Sequence, residues 1–293
     1  MTSVSHWVAG ARPRTLPAAV APVLVGTALA GAGWLPVRAL LALVVSVSLQ
    51  VGVNYANDYS DGIRGTDRTR VGPVRLVGQG LAPARRVRGA AILAFAVAAV
   101  AGVWLVAMSG HWWLLGVGAA SIAAAWLYTG GPRPYGYIGL GEIFVFIFFG
   151  LVPVLGTLYV QTSSIDVTAV LAAVGVRALA CAILVTNNLR DIPTDSAAGK
   201  RTIAVRLGDR RTRTLFVTLI ATAYAVVVVM GSIQPWILLG LVSAPWAIGP
   251  VRIVRGGAVG PDLIPALVKT GRLVIAYAVA LTVGLLIPVI FSL

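Results

Sequence analysis

Acidic residues are scarce in this chain: nine Asp and Glu in 293 residues, against 23 Lys and Arg. It has one cysteine, Cys181, which excludes an internal disulfide and a thiolate metal cluster. Its two histidines, His6 and His111, are far apart in sequence, leaving little material for histidine-bound zinc or Ser-His-Asp chemistry. Charge of either sign is thin, at 11% of residues, where soluble domains carry about a quarter. What abounds is apolar: 58% of residues are hydrophobic and the mean hydropathy is +0.92.

Apolar segments of roughly twenty residues recur along the whole length, each long enough to cross a bilayer as a helix. Backbone polar groups must pair internally in lipid, and the alternating pattern of a membrane barrel is absent. The expected architecture is an all-α, polytopic membrane bundle forming one domain over residues 1–293. Nine spans are predicted, at 15–34, 38–57, 88–108, 112–130, 137–160, 167–189, 213–231, 234–251 and 268–291. With the N-terminus inside, 21 of the 23 basic residues fall on the cytoplasmic side, and only Arg38 and Arg177 fall elsewhere. That asymmetry follows the positive-inside rule and favours an odd number of spans in the cell (inner or plasma) membrane. Arg12 and Arg14 before an apolar stretch, with 28-ALA-30 after it, imitate a cleavable leader, but a retained first span is expected. The net charge of +14 is then a property of one face, explained by topology and anionic headgroups, and calls for no nucleic-acid partner.

Three of the nine acids, Asp58, Asp61 and Asp67, crowd into 54-NYANDYSDGIRGTDRTR-70, at the end of an apolar run. Carboxylates are costly beside hydrocarbon, so such a cluster asks for a use. A weak repeat of it, 188-NLRDIPTDSAAGKR-201, follows another apolar run four spans later. On continuous helices Asn54, Asp58 and Asp61 share a face, as do Asn188, Asp191 and Asp195, although Pro193 threatens the second helix. Opposed carboxylates suit Mg²⁺, which binds oxygen and keeps positions open for water and phosphate. The interleaved Arg70, Lys200 and Arg201 suit a diphosphate. Acids, a hard cation and bases at the mouth of a greasy bundle describe a clamp for a polyprenyl diphosphate. The plainer alternative, helix-end caps and ion pairs, explains one cluster as well as it explains any helix end. It explains two matched clusters poorly.

At these residues the chain resembles the UbiA-type intramembrane aromatic prenyltransferases. The resemblance covers nearly the whole length. It runs through 11-ARPRTLPAAVAPVLVG-26, 57-NDYSDGIRGTD-67 with 72-GPVRLVGQGL-81, 128-YTGGPRPYGYIGLGEIFVFIFFG-150 and 187-NNLRDIPTDSAAGKRTIAVRLG-208. The last three stretches are similar to the branch that prenylates 1,4-dihydroxy-2-naphthoate in menaquinone biosynthesis. Relatives often carry a further acid after Gly-Thr-Asp, where this chain has Arg68. The resemblance implies two motifs, at 54–70 and 187–201, in which Asp58, Asp61, Asp191 and Asp195 hold Mg²⁺. Asp67 and Lys200 would assist the chemistry. Asn54, Arg70, Asn188, Lys200 and Arg201 would bind the diphosphate. The polyprenyl group would pass to 1,4-dihydroxy-2-naphthoate with loss of its carboxylate, giving demethylmenaquinone.

Tyr128, Tyr135 and Tyr137 border a Gly/Pro-rich turn, where rings either steady an allylic cation or form an interfacial belt. Asn57 and Asn187 suit ligand orientation and backbone capping equally. Arg12 and Arg14 read as positive-inside anchors. Arg177 shares the Asn188 face about 16 Å deeper in the bundle, a charge with no assigned task. Three rivals remain: 4-hydroxybenzoate as acceptor, a CDP-alcohol phosphotransferase, and a membrane transporter. The second lacks its full signature here, since 61-DGIRG-65 supplies only Asp-Gly. The third would place its acids nearer the bilayer midplane.

Overall fold

A computed structural model describes residues 2–66 and 74–291, so Asp67 and Arg70 lie outside the described residues. All regular structure among them is helical: α1 Val4–Ala11, α2 Pro17–Leu29, α3 Pro36–Arg64, α4 Ala84–Ser109, α5 Leu114–Leu127, α6 Gly141–Phe146, α7 Val152–Thr162, α8 Val167–Ala197, α9 Ile203–Ile233, α10 Pro245–Arg255 and α11 Ile264–Phe291. A single π-helical stretch, Ile147–Leu151, joins α6 to α7 into one apolar span, Gly141–Thr162. Each predicted span coincides with apolar helix. Six spans are long and apolar enough to cross a membrane, and a seventh results if the bent pair Pro235–Ser243 and α10 counts as one. The remaining two, α2 and α5, are shorter apolar helices of 13 and 14 residues.

Local sequence marks the ends. Asp166 caps α8 by accepting from the Ala169 N–H at 2.7 Å, and the Thr202 hydroxyl does the same for α9 with Val205 at 3.3 Å. Gly65, at φ 72°, closes α3 in the left-handed conformation that glycine tolerates. Pro193 does not break α8, which runs to Ala197 and keeps Asn188, Asp191 and Asp195 in helical register.

Three packed regions result among the described residues, the smallest around Val23, Ala42, Leu105 and Val160. The largest joins α2, α8, α9 and α11 around buried Val176, Leu179, Phe216, Met230 and Tyr277. The second joins α3, α4 and the segment from residue 74, around Val53, Leu76, Val87 and Phe95. Outward-facing Leu93, Val100, Trp104, Val229 and Trp246 are exposed, as a lipid-facing surface requires.

The two basic residues that broke the charge asymmetry have different fates. Arg38 donates to the carbonyls of Val160 at 2.6 Å and Met108 at 2.5 Å. These lie in the last turns of α7 and α4, where carbonyls lack helical partners. Arg38 therefore ties three helix ends together at the face opposite the acids. Arg38→Ala is expected to destabilise the bundle by about 1–2 kcal/mol. A lowered midpoint of thermal unfolding in lipid nanodiscs, with substrate affinity retained, is the measurement that checks this.

Candidate active site

A cavity of about 530 Å³ opens among α1, α3, α8 and the turn before α6. From α3 it takes Gln50, Val53, Asn54, Asn57 and Asp61, the i, i+3, i+4, i+7 series of one helical face. From α8 it takes Arg177, Ala180, Leu184, Asn187, Asn188 and Asp195, a second such stripe. Arg12, Arg14, Arg75, Arg190 and Lys200 also line it, so among the described residues cations outnumber the two carboxylates.

Lys200 sits between the motifs. Its ammonium lies 3.3 Å from Asp61 Oδ1, 3.8 Å from Asp195 Oδ1 and 4.5 Å from the centre of the Tyr137 ring. Gly199, at φ 74°, turns the chain at the end of α8, and the Lys200 N–H returns to the Asp195 carbonyl at 2.8 Å. The Tyr137 hydroxyl donates to Asp61 Oδ1 at 2.5 Å. Tyr137 lies in the short turn Tyr135–Ile138, outside the spanning helices, where burial and then the Asp61 carboxylate raise its pKa above the ordinary phenol range. It stays a donor at neutral pH.

Asp58 is elsewhere. Its side chain is fully buried and takes the N–H of Leu76 on Oδ2 at 2.7 Å and of Val77 on Oδ1 at 3.0 Å. It anchors the segment that carries Arg75 to the cavity wall, and is not among the residues lining the cavity. The helical face explains the split: Asn57 and Asp58 are neighbours, so about 100° apart around the axis. The inward pair on α3 is thus Asn57 and Asp61, and the Asn57 Oδ1 accepts from the Thr129 hydroxyl at 2.7 Å.

Other expected residues divide similarly. Asp191 is 2% exposed and forms a two-point ion pair with Arg190, at 2.7 and 2.8 Å, leaving Arg190 on the cavity wall. Asn54 lines the cavity while donating to the Ala11 carbonyl and the Thr15 hydroxyl, so it also holds the chain between α1 and α2. Asn188 donates to Glu142 Oε1 at 2.8 Å. The Arg201 side chain is exposed and outside the cavity wall, and only its backbone N–H, bonded to the Tyr137 carbonyl at 2.7 Å, touches the site. Tyr128 lines the cavity. Tyr135 does not: it stacks on Phe144 with ring centres 4.3 Å apart and donates to the Ala124 carbonyl. Arg190, Arg75 and the Tyr137–Asp61 bond were missed by sequence reasoning. Arg190 had a signal, its adjacency to Asp191; the other two depend on tertiary folding.

Among the described residues no group of three or more His, Cys, Asp or Glu could share a metal ion. A second, apolar cavity of about 310 Å³ lies among α2, α3, α4, α5 and α7. Ala18 and Phe149 belong to both walls.

Comparison with known proteins places this geometry. A solved UbiA homolog from Archaeoglobus fulgidus, bound to GPP and Mg²⁺, superposes with a TM-score of 0.67 at 15% identity, covering 95% of this chain and 100% of that one. The chain is 54% identical to a 1,4-dihydroxy-2-naphthoate octaprenyltransferase of Mycobacterium tuberculosis over 284 residues, 96% of each chain. It is 38% identical to the Escherichia coli protein of the same name, over 85% of this chain and 84% of that one. The pattern of the UbiA prenyltransferase family matches residues 19–257, and the chain belongs to that family.

Proposed function

We propose that Asp61 and Asp195, with the Asn57 amide oxygen, hold Mg²⁺ and that Lys200, Arg190 and Arg75 receive the diphosphate of a polyprenyl diphosphate. The fit rests on the ammonium of Lys200, a cation already placed between both carboxylates. Two carboxylates suffice for Mg²⁺, which fills its remaining positions with water and phosphate oxygens. Bound there, Mg²⁺ would neutralise charge on the departing diphosphate. Asp58 and Asp191 act at one remove in this reading: Asp58 positions Arg75, and Asp191 orients Arg190. Asn54 and Asn188 shape the wall that the diphosphate meets, and Arg201 serves through its backbone.

The chain is an intramembrane aromatic prenyltransferase of menaquinone biosynthesis, which transfers a polyprenyl group to 1,4-dihydroxy-2-naphthoate with loss of the carboxylate. The observation that carries this is the 54% identity over 96% of both chains to the mycobacterial 1,4-dihydroxy-2-naphthoate octaprenyltransferase. The C–O bond of the prenyl diphosphate breaks and its electron pair leaves with the diphosphate. The ring carbon that bears the carboxylate forms the new C–C bond, and its bond to the carboxylate breaks, releasing CO₂ and returning the electron pair to the aromatic ring. With no oxidant involved, the immediate product is the hydroquinone form of demethylmenaquinone. Lys200, Arg190 and Arg75 meet the charge that develops on the leaving group, in a cavity surrounded by apolar helices where such interactions are screened less than in water. Tyr128, on the cavity wall, offers a ring to the allylic carbon as it becomes positive, while the Tyr137 ring is met by Lys200. The apolar cavity beside the site takes the prenyl tail, and its exposed Val103 and Leu115 place it at the lipid-facing surface. The distribution of basic residues orients the site toward the cytoplasm.

Purified protein in nanodiscs, given a polyprenyl diphosphate, Mg²⁺ and 1,4-dihydroxy-2-naphthoate, is expected to form the prenylated naphthohydroquinone by mass spectrometry. EDTA should abolish it, and 4-hydroxybenzoate should yield none. Prenylation of hydroxybenzoate instead would reject the acceptor; solute uptake with no covalent product would reject the enzyme. Asp61→Asn and Asp195→Asn are each expected to lose at least about 100-fold in turnover while keeping the thermal midpoint, because each removes a charged ligand. Asp58→Ala should lower that midpoint, through a loss of about 1–3 kcal/mol of stability as two buried N–H groups are left unpaired, and raise KM for the diphosphate substrate. Equal stability of the Asp58 and Asp61 variants would count against the division of roles.

A further inference from the structure

Arg177 is the one charged side chain on the α8 stripe below the diphosphate level. It is 1% exposed, and its Cα lies eleven residues, about 16 Å, from that of Asn188 along the helix. Nη1 donates to the Phe149 carbonyl at 3.1 Å, in the π-helical stretch. Nε and Nη2 are buried without a hydrogen-bond partner. The Cys181 thiol lies beside the guanidinium and is a weak partner at best. Glu142 Oε1 accepts from Asn188, and Glu142 is not among Arg177's hydrogen-bond partners. The guanidinium is therefore buried in a spanning helix, on a cavity wall, with two donors unused.

Burial of this kind is strongly unfavourable unless an anion completes the group. The notch that admits it is specific: a Cβ on Gly150 would overlap the Arg177 Cδ, so only glycine fits opposite. Two anionic groups enter the site, a diphosphate and an aromatic carboxylate. The diphosphate has Lys200, Arg190 and Arg75 at the mouth, and the prenyl tail offers nothing to a guanidinium. We propose that Arg177 binds the carboxylate of the aromatic acceptor, fixing its ring beneath the allylic carbon. Arg177 then selects acceptors that carry an acid, with Gly150 keeping its place open. This rests on the acceptor class stated above.

The test compares wild type, Arg177→Met and Arg177→Lys in nanodiscs, with one polyprenyl diphosphate and two acceptors: 1,4-dihydroxy-2-naphthoate and 1,4-dihydroxynaphthalene, which lacks the carboxylate. Arg177→Met is expected to lower the kcat/KM preference for the acid by about 10- to 100-fold, the range for a charged hydrogen bond, with Arg177→Lys between. The effect should sit in KM for the acid and spare KM for the prenyl diphosphate. The thermal midpoint of Arg177→Met should hold or rise, since an unsatisfied buried charge is removed. An unchanged preference would overturn the proposal, as would a rise in KM confined to the prenyl diphosphate. Loss of the fold in Arg177→Met would make the residue a clasp for Phe149 and overturn it equally. Failure of wild type to prenylate the acid would instead reject the function on which the proposal rests.

Discussion

One ammonium group bridges the two acidic motifs. Lys200 reaches Asp61 from α3 and Asp195 from α8, two walls of a cavity surrounded by apolar helix. Without a cation there, two buried carboxylates from different helices would face each other in a medium that screens little. The turn at Gly199, the return of the Lys200 N–H to the end of α8 and the Tyr137 donor on Asp61 all serve that placement. The remaining charges are then arranged in tiers: Arg190 held by Asp191, Arg75 delivered by the segment that Asp58 anchors, and Arg177 at the floor.

The architecture was largely legible because lipid leaves few choices. Length of apolar run, one-sided arginines and the absence of barrel patterning lead to a helical bundle. Two spans, α2 and α5, proved shorter as helices than their apolar runs; α2 gives way to a 3₁₀ turn at Gly31–Gly33, and α5 ends before the Gly/Pro-rich turn. Pro193 looked like a breaker and is carried within α8. A proline removes one N–H, and a helix already held on both sides tolerates that loss.

The site was legible by motif and less so by residue. The run 57-NDYSD-61 contains three groups able to bind a cation, and sequence spacing alone favoured Asp58 because it shares a broad face with Asn54 and Asp61. Which edge of that face looks inward is decided by what packs on the other edge. Here that is Leu76 and Val77, whose N–H groups lie beyond any local pattern. The same applies to Tyr137, which reaches Asp61 across 76 residues of chain. Asp67 and Arg70 stand outside the described residues.

Ala18 and Phe149 form a party wall between a cavity rich in arginine and one lined almost wholly by aliphatic side chains. In the proposed reading a single molecule, the prenyl diphosphate, lies across that wall with one end in each compartment. Cleavage at the allylic carbon then cuts the molecule at the boundary between two solvents. The diphosphate fragment has no affinity for the lipid side, and the prenylated ring gains an apolar tail as it loses its acid. Each product is thereby committed to its own phase by hydration alone, with no gate needed to keep the two from recombining.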